Sequence, residues 1–126
     1  MHIIGLDYDG TFTLHPETWE KVIETWKTGG MYPIFVTMRF KFEPLITSSD
    51  IPIIYTGRMS KIPYCLHRGL RFSMWVDDSP HFLYQDAYEE DPLHKGRNSW
   101  HNDDYEQHRT TKDEIDEIVR TLNYSA

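Results

Sequence analysis

A single cysteine, Cys65, stands among 126 residues, so no intramolecular disulfide can form and the fold has to rest on an apolar core, for which this length suffices. Long apolar runs are missing too: none approaches the roughly 18 residues that a membrane span requires. The start, MHIIGLDYDG, has neither the basic flank nor the long apolar stretch of a secretory signal. A reducing, cytoplasmic setting is the expectation. Positive charge is scarce, with 13 Lys and Arg against 20 Asp and Glu and a net charge of −7. The imbalance lies in the tail, since residues 1–85 hold nine acidic and eight basic residues whereas 86–126 hold eleven and five. Without a broad basic stripe, bulk affinity for nucleic acid is not expected, although a local basic pocket stays open. The tail reads as a solvated acidic surface.

What is present is an alternation of short apolar runs and amphipathic stretches. Residues 3–6 form a continuous apolar run ending in turn residues, which suits a strand buried on both faces. In PETWEKVIETWK, 16–27, Trp19, Val22, Ile23 and Trp26 recur at helical spacing, with proline in the first turn and Gly29-Gly30 as the stop. YPIFVT (32–37) supplies a second strand, 42–47 a short helix, IPIIYT (51–56) a third strand, 60–70 a helix, and FSMWV (72–76) a fourth strand running into Asp77-Asp78. Beyond residue 85 the period is lost. Residues 86–110 read as a polar irregular segment in which no fifth strand can be placed. Thr111-Lys112-Asp113-Glu114 then resembles a capping box opening a last helix, 111–123, with Ile115, Ile118, Val119 and Leu122 as its stripe. The alternation predicts one α/β domain over 1–126, a doubly wound, Rossmann-like parallel sheet with a core of about 1–85.

In an open parallel sheet the carboxyl ends of the strands face one crevice, where ligands bind. The first strand delivers Asp7 and Asp9, the second Thr37, and the fourth Asp77 and Asp78; Arg58 and Lys61 follow the third. Clustered carboxylates repel one another and persist as anions only if a cation joins them, and oxygen-only ligation favours Mg²⁺. A hard cation beside a hydroxyl and a lysine suits a phosphoryl group, whose oxygens carry negative charge. A carboxylate can also attack phosphorus, splitting one hydrolysis into two displacements. One member of the Asp7/Asp9 pair would then attack while the other handles protons.

DYDGT after a strand, threonine after the next, a lysine opening a later helix and VDDSP closing a fourth strand together resemble the haloacid dehalogenase (HAD) superfamily of phosphohydrolases, over residues 1–85. The resemblance implies a HAD-like core and a magnesium-dependent phosphatase working through an aspartyl-phosphate. Asp7 would be nucleophile and metal ligand, and Asp9 would be general acid and base, lending its backbone carbonyl to the metal. Thr37 would bond a phosphoryl oxygen, Lys61, rather than Arg58, would offset charge at the nucleophile, and Asp77, Asp78 or both would complete the magnesium shell. The family often inserts a cap domain between motifs, but here the intervals 12–36 and 38–60 leave no room for one. A capless, open site admits either a small phosphorylated substrate or a phosphorylated macromolecule end.

Two rivals stay in play. A receiver-like module uses similar groups but carries its phosphoacceptor after the third strand, where this chain has Thr56-Gly57-Arg58. A catalytically silent HAD-fold binding protein would keep the same scaffold. His94, His101 and His108 recur every seven residues in a stretch with no other helical sign and read as solvated. Lys95 and Arg97 lie in the same stretch, which raises the possibility that the tail touches substrate. Trp19, Trp26, Trp75 and Trp100 read as packing residues, and Cys65 as a buried helix residue.

Overall fold

The opening apolar run becomes β1 (His2–Leu6), with Ile3, Ile4 and Leu6 buried, as a strand covered on both faces must be. A computed structural model of the chain describes residues 1–87 and 103–125. Strands β2 (Met31–Thr37), β3 (Ile53–Tyr55) and β4 (Met74–Val76) join β1 in one all-parallel sheet of order β3-β2-β1-β4. The α/β architecture expected from the alternation is therefore present. Ile34, Phe35 and Val36 in β2 are fully buried, each contributing about 1.5–3 kcal/mol through removal from water. Pro33 lies within the same strand, yet β3 pairing begins only at Phe35, so its missing N–H costs no bond on that side. Gly5 is required by a close approach: a Cβ there would lie 2.5 Å from the Trp75 indole on β4.

Helix α1 (Pro16–Thr28) places Trp19, Ile23 and Trp26 against Leu6, Phe35 and Ile53 on one face of the sheet. The other face packs Tyr64 and Cys65 of α2 (Lys61–Leu66) and Ile115 and Leu122 of α3 (Lys112–Ser125) against Ile3, Ile34, Val36 and Ile54. Strand order runs outward from β1 to β3 and then jumps back across β1 to β4, with the two crossover helices on opposite faces, as right-handed connections require. The carboxyl ends of β2, β1 and β4 therefore meet at the point where the chain changes direction. Proline opens α1 as expected, and the capping box is real, since the Glu114 N–H donates to Thr111 Oγ1 at 3.2 Å and the Thr111 N–H to Glu114 Oε1 at 3.1 Å.

Several sequence expectations require correction. Residues 42–47 are not helical. Pro44 disfavours the α region at Glu43 and removes a donor; the crossover from β2 to β3 is instead fastened by side chains. The Tyr8 hydroxyl donates to the Ile46 carbonyl and accepts from its N–H, both at 3.0 Å, and Thr47 donates to Glu20. The helix expected over 60–70 stops at Leu66, and β3 and β4 are three residues each, shorter than 51–56 and 72–76. The stretch 86–110 is not irregular throughout: Asp103–His108 is a 3₁₀ helix that buries Tyr105, followed by buried Arg109 and Thr110. Among the described residues no fifth strand appears. The outer edge of β3 is met by Thr110, whose N–H donates to the Tyr55 carbonyl at 2.9 Å and whose hydroxyl accepts from the Tyr55 N–H at 2.8 Å. His108 sits edge-on to Phe42 at 4.9 Å; His94, His101, Lys95, Arg97 and Trp100 lie outside the described residues. No helix among the described residues is long and apolar enough to cross a membrane. Replacing Thr110 with Val keeps the shape but leaves the half-buried Tyr55 N–H without its partner, so denaturant titration should show a loss of about 1 kcal/mol. An unchanged midpoint would mean that the hydroxyl does not hold this edge.

Candidate functional site

Asp7 directly follows β1, and its backbone N–H still pairs with Val76 at 2.9 Å, which fixes its side chain beside the end of β4. Asp77 and Asp78 follow β4. The three carboxylates each offer an oxygen within 4.8 Å of the others, a group able to hold a metal ion. Lys61, the first residue of α2 and only 3% exposed, reaches between two of them, with Nζ 2.7 Å from Asp7 Oδ1 and 2.6 Å from Asp77 Oδ2. Asp77 also accepts from the Ser79 N–H through its other oxygen. Asp78 has no basic partner among the contacts of the described residues, and faces Thr11 instead. Lys61 rather than Arg58 is thus the cation at Asp7. Arg58 is drawn off by Glu43, to which it donates at 2.9 and 3.2 Å.

Two residues of the first motif acquire physical reasons. Thr11 donates its hydroxyl to Asp7 Oδ2 at 3.0 Å and accepts from the Asp78 N–H at 3.2 Å, tying the β1 and β4 ends together. Gly10 has φ +81°, and a Cβ there would lie 2.4 Å from Asp78 Oδ2. Glycine is needed both for the left-handed turn and for the carboxylate beside it.

Asp9, Thr37, Lys61 and the three clustered carboxylates line one open cleft of about 460 Å³. Thr37 is buried at the end of β2 and its Oγ1 accepts from the Arg39 N–H at 3.2 Å. The Asp9 side chain, 54% exposed, stands outside the carboxylate cluster. The metal role carried over from the resemblance falls on its backbone carbonyl and is not touched by that placement. Both Asp9 oxygens accept from Arg39, at 2.9 and 2.8 Å. Arg39 carried no signal in the sequence, because an arginine two residues past a strand end is ordinary until the chain folds it back over Asp9. Thr11 could have been singled out, since it belongs to the quoted DYDGT.

The donor set fits a hard divalent cation: every candidate ligand atom is an oxygen, and three carboxylates against one ammonium leave a net charge of −2 for a single dication to balance. Burial, chiefly, pushes Asp7 up to about 7, and its neighbours Asp78 and Asp77 add to the rise against the opposing pull of Lys61. Cys65 is inert, because burial lifts its thiol to about 12.

An acid with a native pKa of about 7, against 3.8 for the free group, binds more protons folded than unfolded between those values. Its favourable contribution is complete below the unfolded value, falls as pH rises through that window, and is gone above about 7. Asp7→Asn should therefore stabilise the chelator-treated protein at pH 8 by roughly 1–3 kcal/mol and leave it little changed at pH 4. Thermal melts at the two pH values check this, and equal effects at both would refute it. Comparison of the chain with protein-family models, with curated proteins and with solved structures found no match.

Proposed function

We propose that the chain is a magnesium-dependent phosphomonoester hydrolase of the haloacid dehalogenase type, built without a cap, with Asp7 as its nucleophile. The observation that carries this reading is the meeting of Asp7, Asp77 and Asp78 around the Lys61 ammonium in a cleft that also holds Asp9 and Thr37. The carboxylates of Asp7, Asp77 and Asp78 and the backbone carbonyl of Asp9 would hold the ion. Bound there, magnesium supplies positive charge that keeps Asp7 ionised against the effect of burial and offsets charge on the phosphoryl oxygens.

In the first displacement a carboxylate oxygen of Asp7 attacks phosphorus, the bond from phosphorus to the ester oxygen breaks, and that oxygen takes a proton from Asp9. In the second, water attacks the aspartyl-phosphate, Asp9 takes the water's proton, and the bond to the Asp7 oxygen breaks, releasing inorganic phosphate and restoring the carboxylate. Thr37 donates to a phosphoryl oxygen. Lys61 holds Asp7 in line and shields it from Asp77. With no cap insertion between the motifs, the cleft is open to small phosphorylated molecules and to phosphorylated macromolecule ends alike.

Asp7→Asn should lower magnesium-dependent hydrolysis of an aryl phosphate by about 10³-fold or more, the scale on which loss of a nucleophile acts. Undiminished turnover in that variant refutes Asp7 as nucleophile. Asp78→Asn, which removes the carboxylate without a basic partner, should raise the magnesium concentration needed for half-maximal activity at least several-fold while Tm stays within a few degrees. A native protein that binds magnesium but turns over none of a panel of nucleotides, sugar phosphates, phosphopeptides and phosphorylated oligonucleotides would instead be a binding protein.

A further inference from the structure

Arg39 makes more polar contacts in the cleft than its place in the proposed reaction explains. Its Nε and Nη2 donate to the two oxygens of Asp9, its Nη1 donates to the Glu43 and Pro44 carbonyls at 3.3 Å each, and its guanidinium lies 5.1 Å from the centre of the Tyr8 ring. The fork therefore grips Asp9 in the geometry that suits a carboxylate and occupies both oxygens of the residue that must handle protons. The grip is also exchangeable, because the two side chains are 32% and 54% exposed and solvent or another anion can reach both.

Charge in the cleft shows what would displace it. The carboxylate cluster with Lys61 leaves a net −2, matched by one dication, while the Asp9–Arg39 and Glu43–Arg58 pairs are neutral. A phosphoryl dianion entering the cleft then needs a cation to turn toward it. Arg58 is poorly placed for that: its side chain is 10% exposed, clasped by Glu43, and also donates to the Met38 carbonyl. Arg39 lines the same cleft, its own N–H is already bonded to Thr37, and its fork matches two phosphoryl oxygens as well as it matches a carboxylate.

We infer that Arg39 is a phosphate-binding residue shared by exchange with Asp9: it clasps Asp9 until a phosphoryl group arrives, then passes to the phosphoryl oxygens and frees Asp9 to face the leaving group. The inference rests on the phosphohydrolase reading, but its test does not need turnover. Inorganic phosphate is titrated calorimetrically, with magnesium present, into the native protein, Asp9→Asn, Arg39→Gln and the double variant. Arg39→Gln should weaken phosphate about tenfold. Asp9→Asn should strengthen it by about the same factor, because Arg39 is released as well as a negative charge removed. In the Arg39→Gln background that gain should shrink to the few-fold left by the charge alone. Equal gains in both backgrounds overturn the exchange, as does unaltered affinity in Arg39→Gln or the absence of phosphate binding at millimolar concentration. If Arg39→Gln fails to fold, Arg39→Lys, which keeps charge and loses the fork, carries the same cycle with the same criteria. A coupled cycle in a protein that hydrolyses nothing would sink the hydrolase reading alone, and turnover with an uncoupled cycle would sink the exchange alone.

Discussion

Two carboxylates next to each other in a buried crevice repel, and here the Lys61 ammonium between Asp7 and Asp77 makes their proximity tolerable. That requirement propagates outward. Lys61 has to open α2 at the sheet edge, so the chain must turn sharply out of β3, which it does through two consecutive left-handed residues, Gly57 (φ 54°) and Arg58 (φ 69°). A left-handed arginine costs on the order of 1 kcal/mol or more, offset by its contacts with Glu43 and Met38. The start of α2 is then fastened by Asp86, which accepts from the Ser60 N–H at 2.8 Å, and by the Ala87 N–H bonded to the Arg58 carbonyl at 2.9 Å. The placement of one cation thus explains a strained turn, a short helix and the return of the chain after β4.

Features with local physical causes were legible in the sequence. A continuous apolar run gave β1, proline and a 3.6-residue stripe gave α1, and the reciprocal bonds of Thr111 and Glu114 gave the start of α3. The order of strand ends placed Asp7, Thr37, Lys61 and the Asp77-Asp78 pair at one edge, because a parallel sheet sends every carboxyl end the same way. What was not legible depends on partners far along the chain. Arg39 meets Asp9 across 30 residues, Tyr8 meets Ile46 across 38, and Thr110 meets Tyr55 across 55. The expected helix at 42–47 failed for a local reason that the sequence did carry, Pro44, and Glu43 uses its carboxylate on Arg58 and the Phe40 N–H.

The aspartate doublet shows how far identity of residue type can hide a division of roles. Asp77 turns inward, to Lys61 and the Ser79 N–H, and its side chain is 3% exposed. Asp78 turns to Thr11 and Gly10, on the open side of the cluster. Past the end of β4 the doublet thus gives one carboxylate to the ammonium and the other to the exposed side of the same cluster, each with an oxygen within 4.8 Å of the others. Thr11 and Gly10 are matched to the second of these, one by hydrogen bonding and the other by having no Cβ.

The crossover between β2 and β3 lacks regular structure of its own. Several of its backbone groups are bonded by Tyr8 and Arg58, which follow β1 and β3, and by Arg39 and Glu43 within it. Wall and site are therefore one hydrogen-bonded unit. A lid would select ligands by closing over them, whereas a fixed wall can select only by the shape and charge it presents, and beside the carboxylate cluster this one presents a guanidinium shared with Asp9. Under the exchange inferred for Arg39, a ligand that must displace Asp9 from that guanidinium gains if it carries a forked anionic end, and a neutral one has nothing to displace.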